Sequence, residues 1–193
     1  MPKIVDHDQY RKELLTQCFD LFAEKGYAAL TMRQIAQGLG VSTGTLYHYF
    51  PSKEALFEQL VREMSLQDIQ NAIAALSAKQ SPLERIEAAL EFMGQHEDYF
   101  MKQILIWIEY YQHQKRESGN PTEVFRDVWK ESEQQIVELL GIEDRPLIEF
   151  LGSAVDGILL HRIYDPEGYT FQDHARVLLD MLKLYLEHHG LAK

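Results

Sequence analysis

The run from Leu30 to Leu56, LTMRQIAQGLGVSTGTLYHYFPSKEAL, constrains the fold of this chain more than any other. Its spacing predicts two short helices joined by a tight turn, with a third helix behind them. Thr31 stands where a helix cap belongs, and Gln34, three residues on, completes a capping box. Ile35 and Leu39 lie four apart and give that helix one apolar face. Gly38 and Gly40 stop it, Val41 and Ser42 make the turn, and Ser42 is placed to cap the next helix. Leu46 and Phe50, again four apart, point back towards Ile35 and Leu39. Thr43, Gly44, Thr45, Tyr47 and His48 are then left facing outward. A helix of polar, small and aromatic residues, held at a steep angle by the helix before it, is the helix-turn-helix arrangement that reads a major groove.

The segment VSTGTLYHYFPSKEALF resembles the signature of TetR-type (tetracycline-repressor-like) transcriptional regulators, and FDLFAEKGYAALTMRQIAQGLG is similar to the first helix and turn of that family. The resemblance covers about the first third of the chain, and there order, spacing and residue type agree at many positions together. Beyond it the chain agrees in length and helical character. The resemblance implies an all-α homodimer with two parts: an N-terminal helix-turn-helix DNA-binding domain over residues 1–55 (motif about 31–50), and a helical ligand-sensing and dimerisation domain over 56–193. It implies double-stranded operator DNA and a small-molecule effector as partners. By analogy Thr43, Gly44, Thr45 and His48 would touch bases, while Thr31, Ser42, Tyr47, Tyr49 and Lys53 would position the phosphate backbone.

Read for themselves, these residues leave alternatives open. Gly44 either lets a phosphate or base edge come close or is merely tolerated near a helix start. Tyr47 and Tyr49 either offer hydroxyls to phosphate or pack half-buried. Lys53 falls in the first turn of the following helix, where a cation opposes the helix dipole, and facing phosphate would resolve that misfit. Arg33 projects from the first turn of the preceding helix towards a guanine edge or a phosphate.

The charge distribution limits how DNA could be held. Formal net charge is −11, yet residues 1–60 carry six Lys/Arg against seven Asp/Glu, and the remaining 133 carry 13 against 23. An indiscriminate nucleic-acid binder would be basic, so contact is expected from a few placed groups. The single cysteine, Cys18, lies among Leu14, Leu15, Phe19 and Phe22 at helical spacing and reads as an apolar core filler. It excludes an internal disulfide and a four-cysteine zinc site. No apolar run approaches membrane-spanning length and the start lacks the apolar core of a signal peptide, so a cytoplasmic protein without a membrane partner is expected.

Helix punctuation recurs to the end of the chain. Asp6 opens a helix that Gly26 follows, and a later helix starts near Ser52 and runs to about Ala78. Ser81-Pro82-Leu83-Glu84 combines a cap, a first-turn proline and a capping-box glutamate, and Asn120-Pro121-Thr122-Glu123 repeats the grammar. Asp144-Arg145-Pro146 opens another helix, Asp165 to Gly168 stops it, and Thr170 with Asp173 caps the last. About nine helices and no strand follow. The last two carry wide apolar stripes, with Leu151, Val155 and Leu159 on one and Leu178, Met181 and Tyr185 on the other. These stripes serve either the subunit's own core or a four-helix dimer interface, which the family resemblance favours.

An aromatic concentration between Phe92 and Trp129 includes Phe92, Phe100, Trp107, Tyr111 and Trp129, with His96 interleaved. It is either a helical core or the lining of a mostly apolar ligand cavity. No catalytic, nucleotide-binding or metal-ligand spacing is present, so no enzyme, cofactor or metal is expected. The expected function is a DNA-binding transcriptional regulator, a repressor released from a palindromic operator by a small, largely apolar or aromatic ligand. The alternatives are a helical interaction or architectural DNA-binding module without inducer sensing, and an activator.

Overall fold

The computed structural model describes residues 6–76, 78–79, 81–117 and 123–191. Among these the chain forms nine α-helices and no strand, the all-α architecture expected. They are α1 (His7–Lys25), α2 (Met32–Gly38), α3 (Thr43–Tyr49), α4 (Lys53–Leu76), α5 (Pro82–Gln95), α6 (Glu97–Glu117), α7 (Glu123–Leu140), α8 (Arg145–Tyr164) and α9 (Phe171–His189).

The helix starts follow the caps read from sequence. Asp6 accepts the N–H groups of Asp8 and Gln9. Thr31 with Gln34, Ser81 with Glu84 and Thr170 with Asp173 each form a reciprocal capping box, satisfying backbone donors that a helix start leaves unpaired. Ser52 Oγ accepts from Ala55 N at 3.1 Å at the head of α4, which ends at Leu76 rather than near Ala78. The expected cap at Asn120, Pro121 and Thr122 lies outside the described residues.

Packing divides the chain into two units, and the division differs from a cut at residue 55. The first unit runs up to Gln67 and takes in Leu105–Val128, so α6 and α7 each contribute one end to it. Its core is built on Leu14, Leu15, Phe22, Tyr27, Ile35, Leu46, Phe50, Leu56 and Phe57, each at most 2% exposed. Burying an aliphatic or aromatic side chain of this size stabilises by about 1.5–3 kcal/mol. Phe57 stacks on Tyr110 of α6 with ring centroids 3.9 Å apart, and Tyr27 meets both edge-on at 5.1 Å. Cys18 is fully buried here, and burial pushes its thiol up to about 12, so it is the inert filler expected.

The second unit comprises Asp68–Ile104 and the chain from Trp129 onward. Its core joins Ile86, Leu90, Phe100, Ile142, Ile148, Phe171, Leu182 and Leu186. Four residues expected at a dimer interface belong to this core: Leu151, Val155, Leu159 and Leu178 are each under a tenth exposed. The apolar stripes of α8 and α9 are wide enough to have two edges, and these four lie on the inner one. Tyr185 is half-buried, with its hydroxyl donating to Asp144 at 2.9 Å. Of the expected set Met181 alone is open, and it shares the outer edges with Phe150, Val177 and Leu184, which are 51–69% exposed. No helix of the described residues is long and apolar enough to cross a membrane.

Candidate DNA-binding site

Helix α2 packs against both α1 and α3, and its approach to α1 is close where Gly38 carries no side chain. A Cβ on Gly38 would stand 2.9 Å from a terminal methyl of Leu21 of α1, so with a larger residue the Leu21 side chain or the helix would have to shift. Gly26, after α1, has φ +81°, a conformation that L side chains rarely adopt. Ile35, Leu46 and Phe50 are fully buried and hold α3 against α2, while Leu39 is only half-buried.

This packing leaves the other face of α3 open. Gly44, Tyr47 and His48 are exposed, and Thr43 and Thr45 are half-buried. Ser42 Oγ accepts from Thr45 N at 2.9 Å and lies 2.8 Å from the Thr45 hydroxyl, so the cap and Thr45 orient each other. A Cβ on Gly44 would meet only Ser42 Oγ, at 3.7 Å. The protein's own packing therefore gives no reason for glycine there. Thr31 and Arg33 are exposed at the start of α2, with Thr31 Oγ1 engaged by Gln34. Residues 31–50 contain no carboxylate side chain, in a protein of net charge −11.

Two residues behave differently from the expectation. Lys53 does not resolve its dipole misfit by standing free for phosphate. Its Nζ donates to the carbonyls of Tyr27 and Leu30 at 3.1 and 3.0 Å and sits 4.2 Å above the Tyr27 ring. Desolvation lowers its pKa, while Glu54, Glu109 and Glu117 act against that shift. Tyr49 is half-buried, and its hydroxyl lies 2.8 Å from His7 Nδ1 at the start of α1.

Glu109, which no local pattern marks, accepts Tyr27 N at 2.9 Å and Ala28 N at 3.0 Å through its carboxylate. The α1–α2 turn is thus held by a cation on its carbonyls and an anion on its N–H groups. Nothing within 80 residues of Tyr27 in the sequence announces Glu109 as a partner, because the pairing depends on how α6 packs.

The aromatic set expected to bind ligand falls into both units. Phe92, His96, Phe100 and Trp129 belong to the second, Trp107 and Tyr111 to the first. Phe100 is core, and Trp129 packs where a Cβ on Gly152 would come within 3.2 Å of its ring. His96 is exposed at the end of α5, with Nδ1 2.8 Å from the Phe92 carbonyl. Trp107 meets Phe125 at 5.7 Å, and Lys115 lies 5.8 Å from the Tyr111 ring. Within the second unit no sequence signal marks a partly buried polar trio: Asp68 accepts from the Tyr99 hydroxyl and from Gln103 Nε2, both at 2.9 Å. Desolvation by burial raises the Asp68 pKa against those two hydrogen bonds and the nearby His96.

Residues 14–60 match the family of bacterial regulatory proteins named for tetR. Over 116 residues the chain is 29% identical to the HTH-type transcriptional regulator BetI of Rhizobium meliloti (strain 1021), covering 60% of this chain and 57% of that protein. Over 105 residues it is 35% identical to the HTH-type transcriptional repressor KstR2 of Mycobacterium tuberculosis (strain ATCC 25618 / H37Rv), covering 50% of this chain and 48% of that one. These matches span about half the length of either relative. A transcriptional regulator from Saccharomonospora viridis in complex with choline superposes with a TM-score of 0.70 at 19% identity, covering 97% of this chain and all of that one. The regulator FadR of Bacillus subtilis in complex with stearoyl-CoA gives 0.60 at 18%, covering 90% and 97%. At such identities the likeness is one of fold.

Proposed function

We propose, from the premise that this chain belongs to the tetR family of bacterial regulatory proteins, that it represses transcription by holding a palindromic operator until a small effector releases it. The observation that carries the reading is the open face of α3. It is a short helix with exposed Gly44, Tyr47 and His48, fixed to α2 by buried Leu46 and Phe50, in a segment free of carboxylates. In a homodimer, two such helices would read half-sites roughly one turn, about 34–36 Å, apart. Thr43, Gly44, Thr45 and His48 would contact bases; Thr31, Arg33, Ser42, Tyr47 and Tyr49 would hold the backbone.

The protomers would pair through the outer edges of α8 and α9. Val177, Met181 and Leu184 recur at intervals of four and three, so they lie on one helical face, and each is more than half exposed. An apolar strip of this kind on a charged protein marks an association surface. The sensing domain would then lie C-terminal to the helix-turn-helix, as the relatives' fold suggests.

The effector would carry an apolar or aromatic body and a polar head. The relatives' ligands, choline and stearoyl-CoA, are of mixed character. In this chain Phe92, Phe100 and Trp129 would supply the apolar contacts, with Asp68, Tyr99 and Gln103 as polar anchors. An effector favouring the DNA-incompetent dimer shifts the population away from the operator by its differential affinity alone.

The test is a mobility-shift titration with the DNA upstream of its own gene, followed by addition of cell metabolites. A saturable, sequence-dependent complex that a metabolite fraction dissolves is the expected result. Absence of any sequence-dependent complex would sink the regulator reading. A complex indifferent to every fraction would favour an architectural module without inducer sensing.

A further inference from the structure

The helix-turn-helix segment itself has few fixed cations to offer a polyanion. Within residues 31–50 the only permanent cation is Arg33. Lys53 is bound to backbone carbonyls, Arg11 donates to Gln59 and pairs with Asp8, and Lys12 pairs with Glu63. Two histidines, in contrast, stand exposed beside one tyrosine. His7 Nδ1 is 2.8 Å from the Tyr49 hydroxyl, the His7 and His48 rings are 6.1 Å apart, and His48 meets Tyr49 edge-on at 5.0 Å.

From this geometry we infer that His7 and Tyr49 form, beside the base-reading His48, a proton-accepting contact to the DNA backbone, so that duplex binding takes up protons and the first turn of α1 is part of the DNA-binding surface. The inference rests on the DNA-binding reading above. A neutral His7 protonated at Nε2 accepts the Tyr49 O–H at Nδ1, which occupies the hydroxyl's one proton. Protonated His7 donates from Nδ1 to the Tyr49 oxygen instead, and the hydroxyl proton is then free to point at a phosphate. Protonation thus adds a charge and turns Tyr49 from an internal donor into an external one. His48 adds a second charge on the outward face of α3.

Of the charged groups beside His7 on α1, Asp6 caps the helix and Asp8 faces Arg11. Tyr10 packs edge-on against Tyr49 at 5.6 Å and adds no charge. A phosphate backbone brought to this face adds the dominant negative field and favours both imidazolium forms. The sign follows: affinity is greatest at the acid end and falls, without vanishing, as pH rises.

The test uses the full chain and a duplex enriched from a random pool at about pH 8, so that selection does not require protonation. Affinity for that duplex is then measured by fluorescence anisotropy from about pH 8 down to about pH 6 at fixed salt. We expect wild-type affinity to rise roughly tenfold or more across this range. The H7Q/H48Q protein, which loses contacts at every pH, should bind with nearly the same affinity at both ends of the range, and Tyr49→Phe should retain the part of the rise owed to His48. A control with His188→Gln and His189→Gln should behave as wild type, and circular dichroism shows that each variant folds. A wild-type affinity independent of pH, or a rise that survives in H7Q/H48Q, overturns the inference while leaving DNA binding intact. Failure to enrich any duplex overturns the DNA-binding reading itself, and the inference with it.

Discussion

Lys53 of α4 caps the carbonyls of Tyr27 and Leu30 and lies against the Tyr27 ring, so a lysine at the edge of the helix-turn-helix serves as an internal bracket. Replacing it with methionine keeps the apolar stem and removes the donor. Charge-assisted hydrogen bonds lost in this way cost about 1–3 kcal/mol. Urea denaturation of Lys53→Met should show that loss. The slope of log DNA affinity against log salt should stay as in wild type, since no phosphate contact is removed. A flattened slope with unchanged stability would return Lys53 to the DNA surface.

Glu109 grips the same turn from α6, and Gly26 makes room for it. A Cβ on Gly26 would come within 2.9 Å of Glu109 Oε1, in addition to the strain of φ +81°. Gly26→Ala and Glu109→Ala should therefore be less than additive, because removing the carboxylate also removes the collision. A double-mutant cycle on unfolding free energy, with a coupling of about 0.5 kcal/mol or more, is the expected reading. Strict additivity would mean that the cost at Gly26 is backbone strain alone.

The two edges of the apolar stripes on α8 and α9 predict opposite phenotypes. Met181→Glu and Leu184→Glu alter exposed positions and should give folded monomers by sedimentation. Leu159→Glu or Leu178→Glu places a charge among buried neighbours and should abolish folding of the second unit, at a cost of several kcal/mol. Folded dimers from the first pair would move the interface elsewhere.

Asp68 makes stability depend on pH. Its pKa is raised above the unfolded value, so the folded state binds the proton more readily. The stability it contributes is present below the unfolded pKa and is lost as pH rises through the folded one. Asp68→Asn removes this titration. The thermal midpoint of the variant relative to wild type should therefore be higher at neutral pH than in mild acid, as differential scanning fluorimetry can show. A constant difference between the two conditions would contradict it.

The helices and the presented face of α3 are written in the linear order of residues. Caps such as Thr31 with Gln34 and Ser81 with Glu84 satisfy backbone donors within three residues, and the Ile35, Leu46 and Phe50 spacing decides which side of a helix is apolar. These interactions are local, so a linear reading reaches them. How each apolar or charged group is used depends instead on long-range packing. Leu159 and Met181 look alike as members of a stripe, yet one is in the core and the other is exposed, because burial depends on which helix arrives beside them. Lys53 and Tyr27 are 26 residues apart and Glu109 and Tyr27 are 82 apart. Pairings at such separations are fixed by the packing of α4 and α6 against the α1–α2 turn, and no periodicity in the chain encodes them.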